Sequence, residues 1–402
     1  MVRKKIEDLG KVISGGTPST KNERYWGGDI AWITPKDLSK HNSMFIFKGE
    51  REITEEGLKN SSAYTVPTGT VLFSSRAPIG YVAIAGKNLT TNQGFKNIVV
   101  NDENDNLFIY YLLKNNIKFI ESHANGSTFK EISAKVFKNL EFDVPNLDTQ
   151  RKISKILSTL DSKIELNNQI ISNLEELAST LFKRWFVDFD FPNENGNPYK
   201  SSGGKMIDSK LGEIPEGWHV DTISNLMENF DRKRVPLSKM QREKRNGVYP
   251  YYGAASLIAY VDDFLFDGTY LLLGEDGTVI TKEGNPVLQY VRGKFWVNNH
   301  AHVLKGKGYV STEWLYLWFK QTNVSGIVTG AVQPKISQTN LNRLKVVSPD
   351  KEQLIKFQKN IGIIFNKLVV LSNEITILTE LRDLLLPKLL SGEVEFPEDE
   401  EV

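Results

Sequence analysis

Two stretches with one hydrophobic period constrain this chain more than anything else in it. Between Gln150 and about Phe186, the residues Ile153, Leu157, Leu160, Ile164, Asn167, Ile171, Leu174, Ala178, Leu181 and Trp185 recur at alternating steps of four and three. Between Leu354 and about Leu390, Phe357, Ile361, Ile364, Leu368, Leu371, Ile375, Leu378, Arg382, Leu385 and Leu389 do the same. A period of 3.5 is the seam of helices that wind on each other. A helix of about 37 residues would run roughly 55 Å at 1.5 Å per residue.

The two stretches are copies. Each seam position of the second lies 204 residues after its counterpart in the first, from Ile153 and Phe357 to Trp185 and Leu389. The same offset carries Gly126, Ile132, Ser133, Leu140 and Pro145 onto Gly330, Ile336, Ser337, Leu344 and Pro349. A shared heptad phase alone could be coincidence. Matches outside the helices make the chain a tandem repeat of a globular part followed by a helix. A helix with one apolar seam needs a partner, and two in one chain supply each other. The expected fold class is α+β: two strand-rich α/β domains and two long helices forming an intramolecular antiparallel coiled coil with a pseudo-twofold axis. The globular parts would then sit at opposite ends of a bar. Asn167, at a d position, would favour one register.

The boundaries read as 1–145 for the first domain, 146–191 for the first helix, 192–217 for a linker, 218–347 for the second domain, 348–392 for the second helix and 393–402 for an acidic tail. In the first domain, Ile30–Thr34, Thr70–Ser74, Tyr81–Ala85 and Asn97–Val100 read as strands. Leu107–Asn115 and Ser133–Asn139 read as short helices. Asp148 is the expected N-cap of the first long helix, with Ser348 and Pro349 as N-cap and first residue of the second. Pro387 is expected to bend or end that helix, and Gly392 to close it.

The chain's 402 residues, 40% hydrophobic and 25% charged, are ordinary globular material. No run approaches the roughly 18 apolar residues of a membrane span, and the start has no signal-peptide core. Cysteine is absent, which excludes thiolate metal sites and fits a cytoplasmic location. Net charge is +1, but six acids in the last ten residues mask a remainder of +7, a modest bias that neither demands nor forbids a phosphate partner.

Catalytic motifs are missing. Gly80–Asn88 has the wrong spacing for a phosphate-binding loop and no hydroxyl after its lysine. Gly306-Lys307-Gly308 lacks the third glycine of a dinucleotide fingerprint. There is no serine elbow and no Asn-Pro-Pro-aromatic tetrapeptide. His300 and His302, without cysteines or an HExxH pattern, read as polar contacts and not as metal ligands. What remains are polar and aromatic loops of the kind that read bases. Lys36 and Arg76 suit guanine or phosphate, while Asn92 and Gln93 have the paired donor and acceptor that suit adenine. In the second half, Arg232, Lys233 and Arg234, with Lys239, Arg242, Lys244 and Arg245, lead into Tyr249-Pro250-Tyr251-Tyr252, basic residues interleaved with aromatics. Ser75, Lys96, Lys130, Lys282 and Lys335 complete the candidate DNA contacts; no catalytic or metal residue is assigned. A bivalent adaptor for proteins or glycans is the alternative. It predicts no salt-dependent DNA affinity.

The strings AWITPKDL, SSRAPIGYVAI and TTNQGFK in the first half, with LGEIPEGW, YPYYGA, GEDG and KFWVNNHAHVL in the second and the closing LLPKLLSGEV, resemble the specificity (S) subunit of type I restriction-modification systems. LGEIPEGW has no counterpart in the first half. The resemblance implies two target-recognition domains, each reading one half of a split, asymmetric DNA site, with the paired helices measuring the gap. It implies that two modification (methyltransferase) subunits dock on those helices and that restriction (translocase and nuclease) subunits join them. S-adenosylmethionine, ATP and Mg would belong to those partners, leaving this chain without cofactor or catalytic role.

Overall fold

The computed structural model describes all residues except 42, 127–129, 331, 395 and 397–402. The expected acidic tail therefore lies mostly outside the described residues. The chain is α+β and divides into two compact units, residues 1–170 with 371–402, and residues 171–370. Both boundaries fall inside long helices, Leu147–Phe186 and Lys351–Ser391.

In the first unit a five-stranded sheet runs in the spatial order Gly10–Ser14, Phe95–Val100, Val71–Ser75, Ile79–Ala85 and Phe45–Ile46, antiparallel except at its last pair. A three-stranded sheet of Arg51–Ile53, Trp26–Ile33 and Thr90–Thr91 accompanies it. The helix Asn106–Asn115 starts where the Asp105 carboxylate accepts the Phe108 amide at 2.8 Å. It buries Phe108, Ile109, Tyr111, Leu112 and Leu113 in a core with Val71, Phe73, Ile84 and Ile98. In the second unit a six-stranded sheet follows the order Met227–Asn229, Ala301–Gly306, Phe266–Gly274, Leu288–Val297, Tyr249–Tyr252 and Leu257–Val261. The helix Thr312–Gln321 contributes Trp314, Leu315, Leu317 and Phe319 to its core.

The repeat is physical. Glu141–Val144 pairs antiparallel with Val2–Lys5, and Lys345–Ser348, the same four positions 204 residues on, pairs antiparallel with His219–Thr222. Gly126 and Gly330 both take left-handed backbone (φ 102° and 86°), which explains why glycine recurs there. Ser133 and Ser337 both cap short helices, accepting the amides of Val136 and Asn340.

The caps of the long helices correct the sequence reading. Asn146, not Asp148, accepts the Thr149 amide at 2.9 Å, and Asp350, not Ser348, accepts the Gln353 amide at 2.8 Å. Asp148 instead lies in the first turn and Ser348 in the preceding strand. Each true cap directly follows its proline, whose ring favours extended backbone before it. Pro387 does not stop its helix, which continues to Ser391 and closes at Gly392 (φ 77°) with the Glu393 amide bonded to the Lys388 carbonyl at 3.0 Å. The missing N–H costs the helix one hydrogen bond, and only the single turn Lys388–Ser391 lies beyond it.

Every seam position of both helices is buried or half-buried. In the first unit the start of one helix meets the end of the other: Ile153 and Leu157 share a core with Leu386, Leu389 and Leu390, and Asp161 bonds Arg382 at 2.7 Å. Further along, Lys163 faces Glu374 at 3.4 Å, so the segments run antiparallel. In the second unit Phe182, Trp185 and Phe186 surround Phe357 with ring centroids 4.8–5.9 Å apart. The second helix is, by length and composition, apolar enough to cross a membrane, although polar residues interrupt it and no unbroken apolar run approaches that length. Its mean hydropathy sums the seam with an exposed apolar row, Ile363, Val370, Ile377 and Leu384, at seven-residue intervals.

The stretch read as a linker is folded. Phe191 stacks on Tyr199 and Trp218 at 4.6 and 5.0 Å, and Met206–Ser209 pairs with Gly212–Pro215 as a hairpin. Its Gly, Asn and Ser residues make turns between packed aromatics.

Candidate nucleic-acid interface

Four candidates far apart in the first half line one open cleft of about 920 Å³: Lys36, Arg76, Asn92 and Lys130. Local chemistry places each. Thr34 and Asp37 cap the short helix Pro35–Leu38 reciprocally, the Asp37 carboxylate accepting the Thr34 amide at 2.7 Å and hydroxyl at 2.6 Å. That holds Lys36 on an exposed turn at the cleft. Arg76 follows the buried strand Val71–Ser75, and beside it Ala77 has a left-handed φ of 53°. Such backbone in a non-glycine residue is held in place by its surroundings and clusters at functional loops. Asn92 turns the chain toward the cleft by accepting the Gly94 amide on Oδ1 at 2.9 Å, which leaves its Nδ2 without a partner among the described residues.

Each cation at the cleft has a carboxylate. Lys36 donates to Glu50 at 2.8 Å, Lys130 to Glu121 at 3.1 Å, and Arg76 lies 3.5 Å from Glu131. The hydrogen bond and charge of Glu50 hold the Lys36 ammonium above its ordinary value, and Lys36 holds Glu50 below its own. Sequence reasoning missed these acids. They lie 14, 9 and 55 positions from their partners, and no local pattern joins them.

Ser75, Gln93 and Lys96 are not among the cleft walls. Ser75 is buried and donates to the Gly94 carbonyl at 3.1 Å, and Gln93 is engaged by the Thr17 hydroxyl. Lys96 is 5% exposed, and burial pulls its ammonium below the ordinary value, against the attraction of Glu131 and with the repulsion of Arg76.

The second-half candidates divide in the same way. Arg232 and Lys233 lie in the exposed turn Asp231–Lys233, with Lys233 over the Phe230 ring, and Lys282 is exposed. Arg232 and Lys282 have no ion pair among the described residues. Arg234 is enclosed. Its Nη1 donates to Glu275 at 2.7 Å and to the Ala301 carbonyl at 2.7 Å, and Lys335 reaches the same Glu275 at 3.2 Å. Tyr251 is fully buried, its hydroxyl accepting the Leu237 amide at 2.9 Å, while Tyr252 is half-buried against Phe295. Burial therefore denies Ser75, Lys96, Arg234 and Tyr251 a free face, and Ser75, Arg234 and Tyr251 make hydrogen bonds within the fold.

Asp231, Glu275 and His302 converge within 4.8 Å, as metal ligands do. The guanidinium of Arg234 already neutralises that position, and both ring nitrogens of His302 are engaged, Nδ1 by Asp231 at 2.6 Å and Nε2 by the Ile336 carbonyl at 2.8 Å. Burial opposes ionisation of both acids. Hydrogen bonds from His302 and the Val303 amide still hold Asp231 below its ordinary value, and those from Arg234 and Lys335 do so for Glu275.

Comparison with known proteins places this architecture. Residues 1–176 and 215–383 match the model of the type I restriction modification DNA specificity domain. The specificity subunit of the type I restriction enzyme MjaIX of Methanocaldococcus jannaschii is 35% identical, covering 98% of this chain and 94% of that protein. The HindI specificity subunit of Haemophilus influenzae is 25% identical over 84% of this chain and 89% of its own length. A crystal structure of a type I restriction-modification S subunit from M. genitalium shares the fold, with TM-score 0.65, 19% identity and coverage of 99% and 96%. The adaptor reading finds no support among these relatives. With both halves matched and nearly the whole length aligned, the chain belongs to the type I restriction-modification DNA specificity family.

Proposed function

We propose that this specificity subunit, itself not a catalyst, reads one half of a split, asymmetric DNA site with each target-recognition domain, residues 1–145 and 218–347. The observation that carries the reading is the cleft of the first unit, where Lys36, Arg76, Asn92 and Lys130 meet although up to 94 positions separate them. Arginine suits guanine O6 and N7, and the free amide face of Asn92 suits a base edge. In the second domain the exposed Arg232, Lys233, Lys282 and Lys335, with the half-buried Tyr252, take the corresponding part. Ser75, Lys96, Arg234 and Tyr251 support the loops from behind, while Gln93, next to Asn92, stays on the exposed side.

The long helices set the distance between half-sites, and their exposed residues, among them Ile363, Val370, Ile377 and Leu384, form the docking row for two methyltransferase subunits. A row of large apolar side chains in water is characteristic of such a surface. Restriction subunits join that core. S-adenosylmethionine, ATP and Mg are bound by those partners, and the assembly works in the cytoplasm.

Methylation mapping in a host that carries the complete system tests this. Arg76→Ala is expected to relax the first half-site and leave the second unchanged, with Arg232→Ala doing the converse. Equal weakening on all sequences would assign Arg76 to phosphate contact. Inserting one heptad in both helices is expected to lengthen the gap without altering either half-site. An unchanged gap would refute the measuring role.

A further inference from the structure

Every cleft cation of the first unit already holds a carboxylate: Lys36 with Glu50, Lys130 with Glu121 and Arg76 with Glu131, at 2.8, 3.1 and 3.5 Å. The side chains in these pairs are between 36% and 67% exposed. Pairs that open contribute little to stability, so the fold gives no reason for them. Their location does. Sequence-independent DNA binding is driven by lysines and arginines that replace the counterions of phosphates. A cation whose counterion is a fixed carboxylate releases nothing of its own. A phosphate that displaces that carboxylate must then sit beside the displaced negative charge.

A base edge meets a different situation. It is neutral, so it can approach a cation without expelling the carboxylate. A guanidinium has five donors, and Arg76 offers only one edge to Glu131. The other edge remains available for guanine O6 and N7. The carboxylates can also accept a hydrogen bond from the cytosine amino group, which no phosphate can donate. The pairs therefore penalise backbone contact and spare base contact.

We propose that Glu50, Glu121 and Glu131 are specificity determinants of the first recognition domain, guarding its cations against phosphates so that they engage base edges. The inference rests on the DNA-reading role proposed above.

The test uses the full-length chain and a fluorescent duplex of random sequence, with binding followed by anisotropy across a salt series. Glu50→Gln, Glu121→Gln, Glu131→Gln and the triple variant are compared with wild type. Glu103→Gln, an exposed acid that pairs with none of the cleft cations, controls for net charge. Each cleft variant is expected to tighten random-duplex binding roughly threefold to tenfold and to steepen the salt slope by about 0.9, one more phosphate contact. The triple variant should show the sum, and Glu103→Gln little of either. The duplex carrying the methylated sequence should gain less, so discrimination falls. Thermal melts establish that the variants remain folded. Wild-type binding with the triple variant unchanged in affinity and slope would overturn this inference and leave the DNA-reading role intact. No salt-dependent binding by wild type would overturn both. Equal tightening by Glu103→Gln would reduce the effect to net charge and also overturn it.

Discussion

The two units solve one packing problem with opposite chemistry. In the first, Asp161 of one helix bonds Arg382 of the other at 2.7 Å, and the buried Tyr111 hydroxyl donates to the same carboxylate at 2.8 Å. Shifting both positions by the repeat offset leads to Phe365 and Ala178, which are buried in the apolar core of the second unit. There Phe365 packs on Tyr290 and Tyr316, while Phe182, Trp185, Phe186 and Trp314 gather near Phe357. The helix pairing is thus indifferent to how the position is filled, provided it is filled completely. An ion pair satisfied by a third partner and a cluster of rings both meet that condition. They differ in what they specify. Rings bury more apolar area, whereas a directional pair tolerates only one alignment.

The largest effects should come from removing one member of either solution. Phe357→Ala empties a site that is 0% exposed among three aromatic rings and is expected to cost about 3–5 kcal/mol. Arg382→Ala strands Asp161 and is expected to cost a similar 3–5 kcal/mol. Urea denaturation measures the total, and hydrogen exchange by mass spectrometry assigns each loss to its unit. The double change Asp161→Phe with Arg382→Ala writes the second unit's pairing into the first. It should recover stability relative to Arg382→Ala, short of wild type by the roughly 1–3 kcal/mol cost of the buried Tyr111 hydroxyl left without its acceptor. A double variant as weak as Arg382→Ala would mean that the two solutions are not interchangeable.

Asn167 sharpens the contrast further. It is fully buried, and neither its amide nitrogen nor its oxygen has a partner among the described residues. Asn167→Leu is expected to raise stability by about 1 kcal/mol while weakening the preference for one helix register. Lower stability would indicate a partner for the amide.

The smallest effect concerns pH. Asp231 and Glu275 of the second unit are held below their ordinary values of 3.8 and 4.5. The folded state therefore binds protons less readily than the unfolded chain. Their stabilisation is complete above pH 4.5 and is lost as pH falls through the lower folded values. Protection of the amides around Ala301–Gly306, relative to their intrinsic exchange at each pH, should fall on acidification, and Asp231→Asn should flatten that dependence. An unaltered profile in the variant would remove Asp231 from the explanation.

Legibility in the sequence followed the range of the interactions. The seam of both helices was readable because a helix repeats its environment every 3.6 residues, so one buried face leaves a periodic trace. The caps were missed by two residues in each helix. Asn146 and Asp350 also obey the repeat offset, which would have singled them out. The segment 192–217 was misread because its turn-forming residues outnumber Phe191, Tyr199 and Trp218, which hold it together. Among the candidate contacts, charge alone could not separate the exposed Arg232 from the enclosed Arg234, two positions away.

The sequence by itself determined the duplication, the two paired helices and the family, since each is written in spacing or in contiguous strings. Tertiary structure alone decided which cations remain exposed, which acids neutralise them and which polar groups become core. Those outcomes depend on Coulomb forces and burial between residues such as Arg76 and Glu131, whose separation along the chain bears no relation to their distance in space.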